Sequence, residues 1–432
     1  MHPLFGRVLG PLPLSWRYAP YYSIYQRDFN RIAGSQTAIT EYQFAKFKRL
    51  VEHAVANIPF YRWFYHEHDF DPGCLGKISD ITKVPIVRKA DLADWSIEQR
   101  SCLVWFRRRA NTGGTSGRPL GFYVDRAAYA REWFHMLRGW ERLGYRPSAQ
   151  KLTLRGVNIG QQIYHYRFIQ NEFLWNIFKP LDTDAIQALK SLLSREDIRY
   201  LHGYPSAIYQ FLKELEDREP GFCRAHFHFN GVFMGSEYPD RVQRIFIEEM
   251  LDCPTLSWYG HSEQAVLAME TEEQFVYRPF STYGLAEAVA SSDSHSLVAT
   301  GFDNFASPFI RYDTEDPVIP IEVTAGVLQA FSMVGGRAGE VVTDATGKLI
   351  SLTGLLYGRH HSAFEHFEYV QLHQPEPGKL LVMIVAKTPI DFPERYFDFS
   401  GLQFNFTYRT IPTPYRAANG KIVPLLKVIE NL

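Results

Sequence analysis

The chain has 432 residues, which is too long for one ordinary core and suits a large domain with a smaller one. Hydrophobic residues make up 46% and charged residues 22%, a composition that excludes an intrinsically disordered chain. The formal net charge is −1, so the composition gives a nucleic-acid partner no overall electrostatic support.

The four cysteines, Cys74, Cys102, Cys223 and Cys253, are widely spaced and form no CxxC pair. This spacing argues against a disulfide framework and a zinc ribbon, and it favours a reducing, cytoplasmic compartment. The stretch MHPLFGRVLGPLPLSW contains three prolines and no continuous apolar core. We therefore expect neither a signal peptide nor a transmembrane segment there.

The first helical pattern covers residues 41–56, EYQFAKFKRLVEHAVA, where apolar side chains recur at helical spacing. Pro59 predicts the end of this helix. Further along, LGFYVD predicts a strand. A second amphipathic helix should follow it, with Asp125 at its start and Gly144 at its end.

Between these helices, residues 110–119 read ANTGGTSGRP. Glycine lets the backbone approach a ligand closely, and the threonine and serine hydroxyls add hydrogen-bond donors. A loop of this composition can wrap a phosphate, although the same residue types also form ordinary hairpin turns. Arg107, Arg108 and Arg109 precede the loop, either as a solvated turn or as a charge that draws an anionic ligand inward.

Strands and helices alternate from residue 151 to residue 260. The predicted strands are KLTLRG, RYLHGYP, HFHFNGVFMG and TLSWYG, and the predicted helices are AIQALKSLL, SAIYQFLKEL (capped by Ser206) and RVQRIFIEEML. This alternation is typical of an α/β fold with a mostly parallel sheet whose faces are covered. Ligands of such sheets bind at the carboxyl ends of the strands, so the loops 235–237 and 259–263 form the candidate site.

Beyond about residue 320, glycine-containing turns separate short β-rich runs, which is typical of a compact α+β module. We place a domain boundary at Gly335 and Gly336. The expected organisation is a large N-terminal domain, residues 1–335, and a small C-terminal α+β domain, residues 336–432.

Two groups of acidic residues follow predicted strands. A carboxylate at Glu263 could hold Mg²⁺ together with phosphate oxygens of a substrate, or it could cap a following helix. The stretch FIRYDTEDPV places Asp313 and Asp316 on a loop after an apolar strand. A carboxylate there can bind the vicinal hydroxyls of a ribose, and a solvated acidic turn is the alternative.

The order of these motifs is more specific than any one of them. The Gly/Ser/Thr loop, HGYPS, GSE, YGHSE, RYDTED, GGRAGE and a terminal GK follow one another along the chain. With ANIPFYRWFYHEHDFDP and KVPIVRKADL nearer the N-terminus, this order resembles the adenylate-forming enzyme superfamily. More narrowly, it resembles the phenylacetate–CoA ligase family and its relatives in capsular polysaccharide biosynthesis. The resemblance covers nearly the whole chain.

The resemblance implies an ATP site built from several motifs. The loop residues Thr112, Gly113, Gly114, Thr115, Ser116 and Gly117 would wrap the β- and γ-phosphates. The residues expected beside the adenine are Gly235, Ser236 and Glu237, with Tyr259 and Gly260 of the next loop. Asp316 would bind the ribose hydroxyls, Arg337 would support them, and Glu263 would help to hold Mg²⁺.

The resemblance also assigns a hinge, a catalytic lysine and an acyl pocket. Glu340 matches the hinge position between the two domains. Lys421 matches the C-terminal lysine that reaches into the first domain during adenylation, with a surface lysine as the alternative. The acyl pocket would be lined by His202, Tyr204, Pro205 and Ser206. Trp133 and Trp140 are further candidates for that pocket, with core packing as the favoured alternative.

Three positions depart from the pattern of the family. Leu120 stands where the phosphate loop often has lysine, although Arg118 could replace that charge. Glu315 stands where the family usually has glycine, which adds a negative charge beside the ribose position. Glu340 replaces an aspartate and is one methylene longer.

The implied reaction is the ATP- and Mg²⁺-dependent conversion of a carboxylic acid to an acyl-adenylate, followed by transfer to CoA or to an amine or sugar acceptor. The capsule-related relatives make a role in polysaccharide biosynthesis an open alternative. An amide- or ester-forming ligase that does not use CoA is another, as is a nucleotide-binding scaffold with weak or no turnover. We expect no nucleic-acid partner.

Overall fold

The computed structural model describes residues 21–111, 120–291, 294–334, 340–359, 361–386, 390–415 and 423–426. Its helices are α1 (Tyr21–Ile32), α2 (Gln36–Asn57), α3 (Pro59–Glu67), α4 (Lys89–Ala93), α5 (Ala128–Trp140), α6 (Thr183–Arg195), α7 (Pro205–Arg218), α8 (Phe222–His226), α9 (Arg241–Leu251), α10 (Leu352–Leu356) and α11 (Ala363–His366). Short 3-10 turns lie at Pro72–Cys74, Ile78–Lys83, Glu141–Leu143 and Pro393–Tyr396. Within these ranges, no helix combines the length and the apolar composition that crossing a bilayer requires.

Most of the described strands lie in the second half of the chain. They are β1 (Arg108–Asn111), β2 (Gly121–Val124), β3 (Gln150–Leu154), β4 (Tyr164–Arg167), β5 (Glu172–Trp175), β6 (Ile198–Gly203), β7 (Gly231–Met234), β8 (Thr255–Gly260), β9 (Leu267–Glu270), β10 (Tyr277–Pro279), β11 (Gly284–Ala290), β12 (His295–Gly301), β13 (Tyr312–Thr324), β14 (Val327–Met333), β15 (Val341–Thr343), β16 (Leu349–Ser351), β17 (Tyr369–Glu376), β18 (Lys379–Val385), β19 (Asn405–Thr410) and β20 (Leu425–Leu426).

Twelve of the described strands form one mixed sheet in the order β11-β12-β13-β14-β10-β9-β8-β7-β6-β3-β5-β4. Strands β5, β3, β6, β7 and β8 are parallel neighbours, and their register pairs Leu201 with Val232 and Phe233 with Leu256. From β8 to β11, every neighbouring pair is antiparallel. The predicted parallel strands therefore form one half of the sheet, and an antiparallel half extends it.

Three apolar clusters hold the layers together. Helices α6, α7 and α9 pack on the parallel strands through Leu189, Leu212 and Ile247. Helices α2 and α3 pack on the antiparallel strands, and α1 and α5 contribute an aromatic cluster around Trp140. Each of these helices buries one apolar stripe against the sheet. This packing explains the amphipathic periodicity of the helices in the sequence.

Several predicted elements occur where expected. The pattern at residues 41–56 lies within α2, which begins earlier because the Ser35 hydroxyl caps it by accepting a hydrogen bond from the Ala38 N–H at 3.2 Å. Asp125 accepts hydrogen bonds from the N–H groups of Ala127 and Ala128, at 2.9 and 3.0 Å, just ahead of α5. Gly144 takes a left-handed conformation with φ +74° after that helix.

Two predictions were wrong in detail. Ser206 does not cap α7: the helix begins at Pro205, whose fixed φ suits the first helical position, and Tyr204 precedes it. The stretch HFHFNGVFMG is a strand only over Gly231–Met234. Its first residue, His226, ends the helix α8, and the residues between connect that helix to the strand. The antiparallel pair β4 and β5 had not been predicted at all.

Residues 335–339, which contain the predicted domain boundary, lie outside the described residues, so the boundary stays a prediction.

The C-terminal strands pack against the parallel half of the large sheet. Strands β19-β18-β17-β20 form a separate sheet, yet Leu355 and Val382 share one apolar cluster with Leu152 and Phe173. Gly156 allows a close approach, because a Cβ there would lie 2.2 Å from the Gly354 carbonyl oxygen.

We predict that Gly156→Ala destabilises the protein. The added methyl group meets backbone atoms, which cannot rotate away, so the free energy of unfolding should fall by roughly 1–3 kcal/mol. Urea unfolding followed by tryptophan fluorescence measures this change. The control is Gly76→Ala, where the nearest atom to the new Cβ would be 3.6 Å away. Equal stabilities for the two variants would contradict the close approach.

Candidate functional site

The candidate site lies where β6, β7 and β8 end and where β13 begins. The last residues of these parallel strands and the residues that follow them include the predicted positions His202 to Ser206, Gly235 to Glu237 and Tyr259 to Glu263. Asp316 lies on β13, although three strands separate β13 from β8 in the sheet. Folding thus gathers, at one edge of the sheet, motifs that are far apart in sequence.

Tyr259 and Asp316 are joined directly. The Tyr259 hydroxyl donates a hydrogen bond of 2.6 Å to an Asp316 carboxylate oxygen, and the Tyr259 ring packs edge-on against Phe331. Burial and the Asp316 carboxylate raise the pKa of Tyr259 well above its usual value. The phenol therefore keeps its proton and holds the carboxylate in place.

Glu263 forms an ion pair with His261. The distance from His261 Nδ1 to Glu263 Oε2 is 3.1 Å, and both side chains are largely buried. Burial opposes both charges, but the Glu263 carboxylate outweighs it and raises the pKa of His261. The His261 cation in turn outweighs burial at Glu263 and lowers the pKa of that carboxyl. Glu263 is therefore held ionised inside the protein.

An ionised, buried carboxylate suits Mg²⁺, which takes one or two protein carboxylates together with substrate phosphate oxygens. Among the described residues, no group of three or more histidine, cysteine or acidic side chains could hold a metal ion by itself. Glu263 could supply one carboxylate ligand to such an ion, and this role stays a prediction. The alternative that Glu263 caps a helix is wrong, because the strand β9 follows it.

Asp313 and Asp316 lie within β13 and not on a loop as predicted, and the pairing of the strand is irregular between them. Glu315 occupies the position where the family usually has glycine, and its φ is +62°, in the left-handed region that favours glycine. Burial raises the pKa of Glu315, with Lys89 opposing and the carboxylates of Asp313 and Asp316 adding to the rise. The departure from the family therefore keeps the left-handed conformation and adds an acidic side chain to it.

The segment from Gly235 to Glu237 is tightly packed. A Cβ at Gly235 would lie 2.1 Å from the Trp258 ring, and the Ser236 hydroxyl accepts a hydrogen bond of 3.2 Å from Arg155. Glu237 is buried and accepts hydrogen bonds from the Ser206 N–H at 3.1 Å and the Ser206 hydroxyl at 3.0 Å. The Ser351 hydroxyl adds a third, at 3.1 Å. The role of this segment beside adenine stays a prediction.

The predicted acyl pocket is surrounded by aromatic rings. Trp140 stacks on Phe233 at a centroid distance of 4.4 Å and lies 5.2 Å from the His202 ring, which is 5.7 Å from Trp258. Burial, and then the charges of nearby cations such as Arg155, lower the pKa of His202 well below its usual value. His202 Nδ1 and Trp140 Nε1 are both buried and have no hydrogen-bond partner among the described residues.

Two residues near the site had no place in the sequence prediction. Arg131 on α5 is almost fully buried and donates a hydrogen bond of 2.6 Å to Gln264, the neighbour of Glu263. Its Nε and Nη1 atoms have no partner in the described part of the chain. Lys89 on α4 is close enough to lower the pKa of Glu263. The sequence signal for Arg131 was an arginine within the apolar pattern of a predicted helix. Lys89 lies in KVPIVRKADL, a stretch that entered the sequence analysis only as part of the family resemblance.

The remaining predicted residues divide into two groups. The phosphate-loop residues 112–117, Arg337 and Lys421 lie outside the described residues, so their roles stay predictions. Leu120 is buried in the apolar core beside α2, which explains why it carries no charge. The Glu340 carbonyl accepts a hydrogen bond of 2.8 Å from the Leu352 N–H, and its hinge role stays a prediction.

A cavity of about 570 Å³ lies away from these residues. It is lined by the end of α1, the end of α5 and the strands β9 and β10, including Phe29, Arg138 and Arg278. None of the predicted site residues lines it. The cavity is therefore separate from the candidate site.

We predict that the Glu237 contacts stabilise the fold. Ser351→Ala removes one hydroxyl donor and should lower the free energy of unfolding by about 1 kcal/mol. Glu237→Ala leaves the buried Ser206 N–H and hydroxyl without their acceptor, and it should cost roughly 1–3 kcal/mol. Chemical denaturation measures both. Ser194→Ala, at an exposed serine whose hydroxyl donates only to the Ser191 carbonyl, is the control and should change little.

Comparison with known proteins places this geometry in a structural class. No protein-family model matches the chain. The protein CapK of Staphylococcus aureus is 21% identical over 334 residues, which cover 73% of this chain and 70% of that protein.

Crystal structures of 2-hydroxyisobutyryl-CoA ligase are similar over nearly the whole chain. In complex with 2-HIB-AMP and CoA in the thioesterification state, that enzyme has a TM-score of 0.53 at 15% identity, covering 91% of this chain and 90% of that one. In the postadenylation state with 2-HIB-AMP, the TM-score is 0.51 at 16% identity, covering 92% and 90%. The expected fold is confirmed: this chain has the mixed α/β fold of these acyl-CoA ligase structures.

Proposed function

We propose that the protein uses ATP to convert a carboxylic acid to an acyl-adenylate and then passes the acyl group to a nucleophile. The observation that carries the proposal is the assembly of Tyr259, Asp316 and the ionised Glu263 at one edge of the sheet. These residues are the ones that the motif order assigns to the nucleotide. The fold is that of ligases which have been crystallised with an acyl-adenylate and CoA.

The chemistry makes a specific demand on the site. A carboxylate oxygen of the acid attacks the α-phosphorus of ATP, a P–O bond forms, and the bond to the departing pyrophosphate breaks. Both reactants are anions, so the protein must reduce their repulsion. Mg²⁺ bound with ATP supplies positive charge for this purpose, and Glu263 is the residue we propose to hold it.

Asp316 would accept hydrogen bonds from the ribose hydroxyls, with Tyr259 keeping its carboxylate in one orientation. Because Tyr259 satisfies one carboxylate oxygen, the other is the one we assign to ribose. The loop of Thr112 to Gly117 would bind the β- and γ-phosphates through backbone N–H groups. Arg337 would support the ribose contact, and Gly235 to Glu237, with Gly260, would line the adenine side.

Two buried polar atoms in the predicted acyl pocket suggest which class of carboxylic acid the protein activates. His202 Nδ1 and Trp140 Nε1 have no partner in the described residues, and leaving such atoms unpaired costs free energy. A substrate that carries a hydroxyl or keto oxygen beyond its carboxylate would pair with them. We therefore favour a polar acid over a plain fatty acid. Tyr204, Pro205 and Ser206 would complete this pocket.

CoA is the acceptor we propose first, because the structural relatives named above include a complex with CoA in the thioesterification state. An amine or sugar acceptor, with a role in polysaccharide biosynthesis, is the second candidate, supported by the similarity to CapK. In either case the C-terminal residues 336–432 would rotate as a mobile domain between the two half-reactions, with Glu340 at the hinge.

The proposal predicts acid-dependent release of pyrophosphate from ATP. Purified protein with ATP and Mg²⁺ should release pyrophosphate when a suitable acid is added, and hydroxy acids should be better substrates than their deoxy counterparts. Asp316→Asn should lower the affinity for ATP by roughly tenfold, because a charged acceptor for ribose is lost. A coupled pyrophosphate assay and calorimetric titration with ATP measure the two effects.

The matched control is Glu322→Gln, which changes an acidic side chain at the exposed far end of the same strand, paired with Arg278. It should leave ATP affinity and pyrophosphate release unchanged. Binding of ATP without pyrophosphate release for any acid in a broad panel would favour the scaffold alternative. Absence of ATP binding in the folded protein with Mg²⁺ would refute the proposal altogether.

A second prediction concerns Lys421. As a compact cation that acts during adenylation, it should matter more in the transition state than in the ground state. Lys421→Ala should therefore lower the rate of pyrophosphate release by about a hundredfold or more while changing ATP affinity by less than about threefold. Lys379→Ala, at an exposed lysine on β18, should change neither. Equal losses of rate and affinity would contradict the assigned role.

A further inference from the structure

An exposed apolar loop precedes the Gly/Ser/Thr stretch and is independent of the function proposed above. Residues 102–107, which we call the aromatic loop, place Leu103 at 87%, Trp105 at 81% and Phe106 at 64% exposure. Large apolar side chains that are this exposed and this close together usually mark an interaction surface. Phe392 is exposed without such a neighbour among the described residues, and the exposed run Ile319, Ile321 and Val323 on β13 reaches only 51–53%.

The loop is anchored at both ends, so its exposure is built into the fold. The Cys102 N–H donates a hydrogen bond of 2.9 Å to the Ala306 carbonyl, and the Cys102 thiol donates to the Phe305 carbonyl at 3.0 Å. Arg107 returns to Cys102 through a hydrogen bond of 2.9 Å to its carbonyl and lies 3.9 Å from the centre of the Tyr123 ring. These contacts fix the base of the loop and leave its tip to solvent.

The tip is held in a strained conformation. Phe106 has φ +58°, in a region that a bulky side chain rarely adopts. Its ring lies 5.0 Å from the Trp105 ring, so the two aromatic side chains form one projecting unit. Strain of this kind is retained where the surroundings require a particular presentation of a side chain. Here the strained residue is Phe106 itself, beside Trp105 at the tip of the loop.

Positive charge surrounds the tip. Residues 100–109 contain four arginines and no acidic residue, although the whole chain has a net charge of −1. Arg108 and Arg109 are exposed on β1, directly after the loop. A projecting Leu-Trp-Phe group beside arginines is the combination that binds anionic membranes. Apolar side chains enter the interface, tryptophan favours the headgroup level, and the cations attract acidic headgroups.

We propose that the aromatic loop docks the protein on the surface of a bilayer that contains anionic phospholipids. A protein partner fits less well. Three side chains that bury about 200 Å² each fall short of the roughly 800 Å² per partner in a stable interface. Single-stranded nucleic acid also fits less well, because Leu103, the most exposed of the three, offers no aromatic face on which a base could stack.

The proposal is tested with the full-length protein and large unilamellar vesicles in a sedimentation assay. Vesicles of phosphatidylcholine with phosphatidylglycerol should bind the protein at least about tenfold more tightly than vesicles of phosphatidylcholine alone, and added salt should weaken this binding. The double variant Leu103→Ser, Trp105→Ser should lose at least about tenfold in affinity for the anionic vesicles.

Phe106→Gly separates a membrane role from a structural one. Glycine tolerates the left-handed conformation, so this variant should unfold at higher denaturant concentration while binding anionic vesicles less tightly. Phe392→Gly is the matched control, because Phe392 is also exposed and has φ +54°, but lies between acidic residues at 391 and 394. It should gain stability in the same way and keep wild-type vesicle binding.

Three results would overturn the proposal. The first is equal binding to anionic and neutral vesicles. The second is vesicle binding that the loop variants leave unchanged. The third is a lipid-free dimer, or a complex with a single-stranded RNA oligonucleotide, that the double variant abolishes, since either would assign the loop to a different partner. ATP binding and pyrophosphate release are measured separately, so failure of the docking proposal leaves the proposed function standing.

Discussion

The candidate site depends on holding three carboxylates at one edge of a sheet, Glu263 by an ion pair and Asp316 and Glu237 by hydrogen bonds. Burial alone would neutralise such groups, because a charge loses its hydration when it enters the protein. The His261 cation keeps Glu263 ionised. Asp316 accepts a hydrogen bond from the Tyr259 hydroxyl, and Glu237 accepts hydrogen bonds from the hydroxyls of Ser206 and Ser351. These contacts keep the carboxylates in place for the roles that we propose for them, with a metal at Glu263 and a ribose at Asp316.

The sequence predicted those parts of the fold that depend on local pattern. The helices α2, α6 and α9 and the strands β3, β6 and β8 follow from periodicity, because each buries a single stripe or a continuous apolar run. The pair β4 and β5 was missed because a short run such as YHYR mixes aromatic and charged residues and shows no clear alternation. The twelve-stranded order was out of reach, since pairing of distant strands is a tertiary property.

The site was predicted as a set of residues, and the structure adds the contacts among them. Nothing in the sequence links Tyr259 to Asp316, which are 57 positions apart, or Glu237 to Ser351, which are 114 apart. Ser206 was assigned to a helix cap because serine is a common cap, but proline at the first helical position takes over the start of α7. Its hydroxyl then becomes free to bind Glu237. Arg131 was overlooked because a single cation in an amphipathic helix usually lies on the solvated face, whereas this one is buried.

The contacts between the two predicted domains set a condition on any rotation between them. In the described residues, Glu237 meets Ser351, Lys348 meets both Glu214 at 3.2 Å and the Lys179 carbonyl at 2.6 Å, and an apolar cluster spans both parts. A rotation of residues 336–432 would break these contacts and expose part of that cluster.

A ligand shifts such an equilibrium only by the difference between its affinities for the two arrangements. If the proposed function holds, the acyl-adenylate or the second substrate would have to bind the rotated arrangement more tightly, by at least the free energy that these contacts contribute. Glu237 occupies a central place in this exchange. Its motif assigns it to the proposed nucleotide site, and its hydrogen bond with Ser351 joins it to the C-terminal part. A nucleotide bound beside Glu237 would therefore affect the contact with the C-terminal part.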